Sequence, residues 1–270
     1  CALPIYEQEL RRFSKLAKLK GSPLSIHFKL DTGMGRTGCW WERGKALLEQ
    51  IMNNPHLNLD GILTHFSEPS DLWFTNEQRN RFLQIALPAI RKIPDLLVHA
   101  DNSSSLQTLS PDSPFNAVRI GLLQFGIPPP KGTLLSHLKV EPVLSFHSRI
   151  ALLKELPAGT SLSYGREHTL KRNGRIGIIA AGYGDAIPLH CGGKAKGLID
   201  GVAYPLIGRV TMDQAMMDLS QAPAEIKNGS LVTLIGSQKG KNLSLTELAE
   251  AGNTIAWELL CSITNRSEEH

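Results

Sequence analysis

The sequence predicts an α/β fold in two parts: an incomplete (β/α)8 barrel of the TIM type, represented by about its last four β/α units, followed by a mostly β C-terminal domain. Between about residues 25 and 125, short apolar runs alternate with stretches of helical periodicity, the pattern of parallel strands joined by crossover helices. Beyond the proline cluster Ile127-Pro128-Pro129-Pro130-Lys131-Gly132 the apolar runs become closely spaced and are divided by turn residues, as antiparallel strands are. A length of 270 residues also favours two hydrophobic cores over one. The expected division is residues 1–132 and 133–270.

In the first part the spacing predicts strands at Ser25 to Leu30, Gly61 to His65, Leu96 to Ala100 and Ala117 to Gly121. The opening residues show helical spacing and no signal-peptide pattern. Thr75 followed by Gln78 reads as a capping box that starts a helix through Arg79, Phe82, Ile85 and Ile90. In the second part, strands are expected at Val143 to Leu153, Arg175 to Ala181, Tyr204 to Val210, Ala215 to Leu219 and Leu231 to Ile235. One helix follows, capped by Ser244 and Glu247 ahead of Leu248 and Ala249.

Composition narrows the classes of function. The chain is 41% hydrophobic and 20% charged, and no apolar run approaches the roughly 20 residues that span a bilayer. Its formal charge of +4 is scattered, without the basic stripe that tracks a nucleic-acid backbone. A small-molecule partner is expected, with no nucleic acid and no membrane. The four cysteines, Cys1, Cys39, Cys191 and Cys261, form no CxxC pair and no zinc-ligand spacing with the nine histidines. They read as reduced thiols of a cytoplasmic protein, with no metal site.

The chemistry-bearing residues cluster at predicted strand ends, where a parallel barrel carries its functional groups. His27-Phe28-Lys29-Leu30-Asp31 runs into the glycine-rich turn Thr32-Gly33-Met34-Gly35-Arg36-Thr37-Gly38. Thr64-His65-Phe66 ends the second strand, His99-Ala100-Asp101-Asn102-Ser103 the third, and Val118-Arg119-Ile120-Gly121-Leu122 the fourth. Ser103, Gly121 and Leu122 suit an anion, because small residues let N–H groups approach it closely. Taken singly, each is as well read as a structural residue: an exposed arginine on a turn, a hydrogen-bonded histidine. The second part adds Ser161-Leu162-Ser163-Tyr164-Gly165, Ala181-Gly182-Tyr183-Gly184-Asp185 and Gly208-Arg209-Val210-Thr211-Met212-Asp213-Gln214, where a lone tyrosine is ordinarily a packing residue.

Together, HFKLDTGMGRTG, THF, HADNS, VRIG, LPAGTSLSYG, AGYGDA and GRVTMDQ stand in the order and at the separations of the alanine racemases. The chain resembles that family of pyridoxal-phosphate enzymes from about residue 25 to 265. The resemblance implies racemisation of L- and D-alanine by two bases, supplying D-alanine for peptidoglycan, in a head-to-tail homodimer. It implies that Arg36 contacts the cofactor's phenolic oxygen and the substrate carboxylate, with Lys29, often carbamylated, orienting it. Ser103, Gly121 and Leu122 match phosphate ligands. Arg119 matches the donor to the pyridine nitrogen, His65 the bridge from that arginine to the catalytic tyrosine, and Tyr164 that tyrosine, contributed by the partner subunit. Met212 matches a backbone donor to the substrate carboxylate, and Tyr183 and Asp213 resemble parts of the entry corridor.

Some positions depart from the family pattern. Trp257 stands where a tyrosine usually meets the phosphate, Phe125 precedes Gly126 where tyrosine is usual, and Ala186 replaces a glycine. No segment resembles Val-Lys-Ala-Asn-Ala-Tyr-Gly-His, which in the family bears the Schiff-base lysine. The expectation is that roughly a hundred residues precede Cys1 in the complete barrel, and that the chain alone is inactive and aggregation-prone at its open sheet edges. Related readings are a broad-specificity or serine racemase, a decarboxylase of the same fold type, and a non-catalytic pyridoxal-phosphate-binding barrel. The β domain bearing Tyr164 and Met212 argues against the last, and the LSYG and GRVTMDQ segments argue against the decarboxylase.

Overall fold

The computed structural model describes residues 7–103, 113–128 and 138–263. Cys1, residues 129–132 of the proline cluster and the expected boundary at 132/133 lie outside them. The chain divides into two compact units, Cys1–Val140 and Glu141–His270.

The first unit runs α1 (Glu7–Lys20), β1 (Leu24–Asp31), β2 (Cys39–Trp40), α2 (Trp41–Met52), β3 (Leu57–Leu63), α3 (Leu72–Lys92), β4 (Leu97–Asn102) and β5 (Ala117–Arg119). All five strands are parallel, in the order β2-β1-β3-β4-β5. Side chains alternate across a strand, and β1 shows the consequence. Ile26, Phe28 and Leu30 are fully buried in a core that also takes Ile62, Phe82 and Val98, while His27 and Lys29 are only half-buried. One sheet face is thus an apolar bed for helices and the other carries polar groups. Among the described residues this sheet does not close.

The predicted start of α3 is corrected. Asp71 is the N-cap, accepting the Phe74 N–H at 3.0 Å, and Thr75 and Gln78 are fully buried inside the helix. Their polar atoms turn toward strand ends: Thr75 Oγ1 donates to the Glu68 carbonyl at 3.1 Å, and Gln78 reaches Thr32, His65 and Ser67.

The second unit is built from β6 (Phe146–Leu156), β7 (Ser161–Leu162), β8 (His168–Thr169), β9 (Gly174–Ile179), β10 (Lys196–Ile199), β11 (Val202–Ile207), β12 (Ala215–Asp218), β13 (Leu231–Gln238) and β14 (Lys241–Leu243). Antiparallel pairing runs β10-β11-β12-β9-β6-β13 and returns to β10 through Leu198 and Thr233. The result is a closed six-stranded barrel, filled by Ile150, Ile179, Leu206, Met217, Val232 and Leu234, while Ile176 on the outer face packs with Leu162 and Leu170. Closure leaves those six strands without an open edge. Two helices follow where one was expected: α4 (Leu245–Ala251), with the Ser244–Glu247 capping box, and α5 (Ala256–Ser262).

Candidate active site

The polar face of the parallel sheet gathers its charges at the carboxyl ends of the strands. Arg119, at the end of β5, lies at the centre. Its Nη1 donates to His99 Nδ1 at 2.6 Å and to the His99 carbonyl at 3.2 Å. Its Nη2 donates to the carbonyls of Thr64 (2.9 Å) and Ala100 (3.0 Å) and to His65 Nδ1 (3.1 Å). Five acceptors therefore share four Nη hydrogens. Among the described residues the Nε–H has no hydrogen-bond partner, leaving one directed donor on a fixed cation.

Two histidines beside this cation are held neutral. Burial, then Arg119, Arg36 and Lys29, push the His65 pKa down to about 4. Burial, then Arg119 and His27, do the same to His99. Lys29 is lowered by burial and by Arg36 and Arg119, against the opposing pull of Asp31. Burial also lowers Arg119, opposed by Asp101, but a guanidinium stays protonated. The face is thus cationic, with neutral imidazoles between the charges.

The glycine-rich turn after β1 is organised by Asp31, whose Oδ1 accepts the N–H groups of Gly33, Met34 and Gly35 at 3.0, 2.9 and 3.1 Å. Gly38, at φ +124°, is required there: a Cβ would stand 2.9 Å from the Asp31 nitrogen. Lys29 Nζ donates to Thr37 Oγ1 at 2.5 Å across the turn. Arg36 is exposed on it, and its charge reaches both Lys29 and His65. Arg81 of α3 donates to the Thr32 carbonyl at 3.1 Å and lies over the Trp41 and Phe74 rings. At the far edge, Ser103 Oγ accepts the Gly121 N–H at 2.8 Å. Ser103, Gly121 and the adjoining Leu122 are thus brought together.

The second unit carries the remaining sequence-predicted residues, Tyr164, Tyr183, Met212, Asp213 and Trp257. Ser163 Oγ donates to the Arg209 carbonyl at 2.5 Å, and the N–H groups of Tyr183 and Gly184 donate to the carbonyls of Thr211 and Met212, each at 2.9 Å. Gly182 permits both contacts, since a Cβ would lie 2.2 Å from the Thr211 oxygen and 2.4 Å from the Met212 oxygen. Three loops are so pinned side by side, presenting Tyr164 (69% exposed), Met212 (51%) and Tyr183 (45%); Asp213 shares the turn with Met212. Trp257 lies on α5, whose Glu258 and Leu259 face the Tyr183 turn across a cavity of about 280 Å³.

Residues 6–129 match the family model described as alanine racemase, N-terminal domain, and residues 143–270 the model described as alanine racemase, C-terminal domain. An alanine racemase of Halothermothrix orenii is 31% identical over 264 residues, covering 96% of this chain and 69% of the relative. The chain belongs to the alanine racemase family. A family member from a Nostoc species is 35% identical over 252 residues, 91% of this chain and 64% of its own length. The chain thus spans about two thirds of the length of these curated relatives. Among solved structures, alanine racemase from E. faecalis superposes with a TM-score of 0.82 at 29% identity, over 98% of this chain and 70% of that one. Alanine racemase from Bacillus anthracis with bound L-Ala-P gives 0.74 at 33% identity, over 94% and 66%.

Several residues of this site were not singled out from the sequence. Gln78 was read as a cap, and His27 and His99 were given no role. The period-2 alternation of β1 places His27, Lys29 and Asp31 on one face, and was the available signal. No group of His, Cys, Asp or Glu among the described residues could hold a metal ion. No described helix is long and apolar enough to cross a membrane.

Proposed function

We infer that this protein is an alanine racemase that uses pyridoxal phosphate. The observation that carries the inference is the cationic face on which Arg119, pinned through both Nη atoms, keeps its Nε–H available. That donor set fits the cofactor. Arg119 would hold the pyridine nitrogen, and Ser103 with the N–H groups of Gly121 and Leu122 would hold the phosphate, the Gly121 N–H exchanging its present acceptor, Ser103 Oγ, for a phosphate oxygen. Trp257 stands at the position from which the resemblance would direct a side-chain donor to the phosphate, with an indole N–H in place of a tyrosine hydroxyl. Pyridoxal phosphate, when bound, supplies the electron sink that acidifies the substrate Cα–H.

The protein's own groups handle the proton. An arginine is too weak an acid to protonate a pyridine nitrogen, so Arg119 would leave that nitrogen as an acceptor and would restrain the sink. Because His65 Nδ1 accepts from Arg119 and a histidine with a pKa of about 4 stays neutral, its proton sits on Nε2, where the Asn102 side-chain amide, 3.3 Å away, meets it with the amide oxygen. A phenolate taking the place of that oxygen would accept the same N–H without being protonated. A free phenol has a pKa of about 10, so Tyr164 needs this cationic neighbourhood to act as a base. The exposure of Tyr164 supports the reading that it acts on the partner subunit's cofactor, in a head-to-tail homodimer. Arg36 and the Met212 N–H would bind the substrate carboxylate, with Tyr183 and Asp213 lining its entry. Lys29, lowered toward its neutral amine, is suited to carbamylation, which would place an anion beside Arg36.

The five-stranded parallel sheet is read as part of a (β/α)8 barrel, with the domain division near residue 132. D-alanine made in the cytoplasm for peptidoglycan is the corresponding cellular role. Chiral chromatography of L-alanine and L-serine, each incubated with pyridoxal phosphate and protein expressed from its complete reading frame, tests the function. D-alanine should form much faster than D-serine. Faster D-serine formation would move the assignment to a serine racemase, and bound cofactor without either product to a non-catalytic barrel.

A further inference from the structure

The two histidines behind Arg119 form a line. His99 Nδ1 faces the guanidinium at 2.6 Å, and His99 Nε2 lies 3.0 Å from His27 Nδ1, with ring centroids 5.3 Å apart. Protonation along this line is set by elimination. Arginine only donates, so His99 Nδ1 must be the bare nitrogen. A neutral His99 then carries its proton on Nε2 and donates to His27 Nδ1, which fixes the His27 proton on Nε2 as well. A cationic His99 would turn an N–H toward the guanidinium. Burial and the charge of Arg119 oppose that state in His99, and burial opposes it in His27, where only Asp60 pulls the other way. The other charges near this line are the cations Lys29 and Arg36 and the carboxylates Asp31 and Asp101.

The backbone makes room for the arrangement. His27 sits opposite Gly61 in the β1–β3 register, and a Cβ on Gly61 would stand 2.5 to 2.9 Å from the Nδ1, Cε1 and Cγ atoms of the His27 ring. Gly61 has no left-handed φ to explain it, so the space it leaves is what the glycine supplies.

We propose that His99 and His27 are positioning residues, a fixed-tautomer relay in which His27 orients His99 and His99 holds the guanidinium of Arg119 in the attitude that presents its Nε–H. The assignment rests on the racemase reading for its purpose, but not for its geometry. Neither histidine touches substrate or cofactor; both act through Arg119.

Long-range ¹H–¹⁵N spectra of the full chain, without cofactor, report each imidazole tautomer directly. His99 and His27 should both be Nε2–H forms, favoured by about tenfold, the ratio one net hydrogen bond sustains, and His99 should not titrate between about pH 5 and 8. His99→Asn, whose Oδ1 replaces Nδ1 as acceptor, should keep the Arg119 guanidinium signals resolved and slow to exchange. His99→Leu should average them. Gly61→Ala, whose Cβ would meet the His27 ring first, should displace that ring and mix the His99 tautomers. An Nδ1–H form of His99 in the unsubstituted chain would overturn the proposal, as would guanidinium signals indifferent to His99→Leu. Both readouts are independent of racemisation, so a protein that shows the relay but makes no D-alanine would refute the function and leave the relay standing.

Discussion

Replacing Gln78 by methionine should loosen the candidate site from behind, and by an amount the structure fixes. The two side chains have similar length and shape, so packing against α3 is largely kept and the hydrogen bonds are lost. Gln78 Oε1 accepts from the Ser67 N–H at 3.0 Å and Ser67 Oγ at 3.1 Å, and its Nε2 donates to the His65 carbonyl at 3.2 Å and Thr32 Oγ1 at 3.4 Å. Thr32 keeps the Thr64 hydroxyl at 2.7 Å, and Ser67 Oγ can rotate. Two backbone groups, the Ser67 N–H and the His65 carbonyl, are left without these partners in a region where Gln78, Thr32 and Thr64 are fully buried. At about 1–2 kcal/mol for each stranded buried group, the cost is roughly 2–4 kcal/mol. Peptide-level hydrogen exchange should show β1 and β3 opening roughly 30- to 700-fold faster, since about 1.4 kcal/mol corresponds to tenfold. The six-stranded barrel is the internal control and should be unchanged. Exchange in β1 and β3 within about threefold of the unsubstituted chain would show that Gln78 does not clamp the strand ends, and would refute the reasoning.

Three further outcomes are expected. Because the folded pKa values of His65 and His99 lie at about 4, below the ordinary 6.5, the unfolded chain binds more protons between those limits. The first unit should therefore be fully stable above pH 6.5 and lose stability as pH falls toward 4; after discounting for solvent screening and shared charge, urea titrations should show a loss of about 2–4 kcal/mol for the pair. Ala186 occupies the left-handed region at φ 70°, ψ 15°, which accounts for a glycine being the family's usual residue there, and Ala186→Gly should stabilise the second unit by about 0.5–1 kcal/mol in denaturant melts; a destabilisation would show that the alanine methyl makes a compensating contact. Finally, the 270-residue chain mixed with pyridoxal phosphate and reduced with borohydride should carry no cofactor adduct on a unique lysine, since Lys15, Lys18 and Lys20 lie exposed on α1 with nothing to single one out; peptide mass spectrometry locating one would contradict this.

What the sequence made legible followed from periodicity and local chemistry. The β1 strand and the Ser244 capping box depend on neighbours within a few residues, and both form where expected. Strands of two to four residues, such as β2, β7, β8, β10 and β14, are too short to show a period, and only tertiary pairing defines them. Thr75 and Gln78 misled because a Thr-x-x-Gln spacing is compatible with a cap, yet Asp71 was nearer the turn and took the role. The His27–His99 contact joins residues 72 apart. Nothing in either strand signals it until register places His27 opposite Gly61 and the parallel pairing brings β4 alongside.

The central claim is that Arg119 and His65 activate the phenol of Tyr164 for proton transfer at the alanine Cα. It is tested most directly by following deuterium entry at Cα and enantiomer exchange of alanine in D2O, with protein from the complete reading frame and its Tyr164→Phe variant. The account predicts that the unsubstituted protein racemises with solvent deuterium incorporated, and that Tyr164→Phe lowers kcat by at least about 100-fold, the usual contribution of a positioned base, with KM little changed. A Tyr164→Phe enzyme that racemises alanine at an undiminished rate would contradict it.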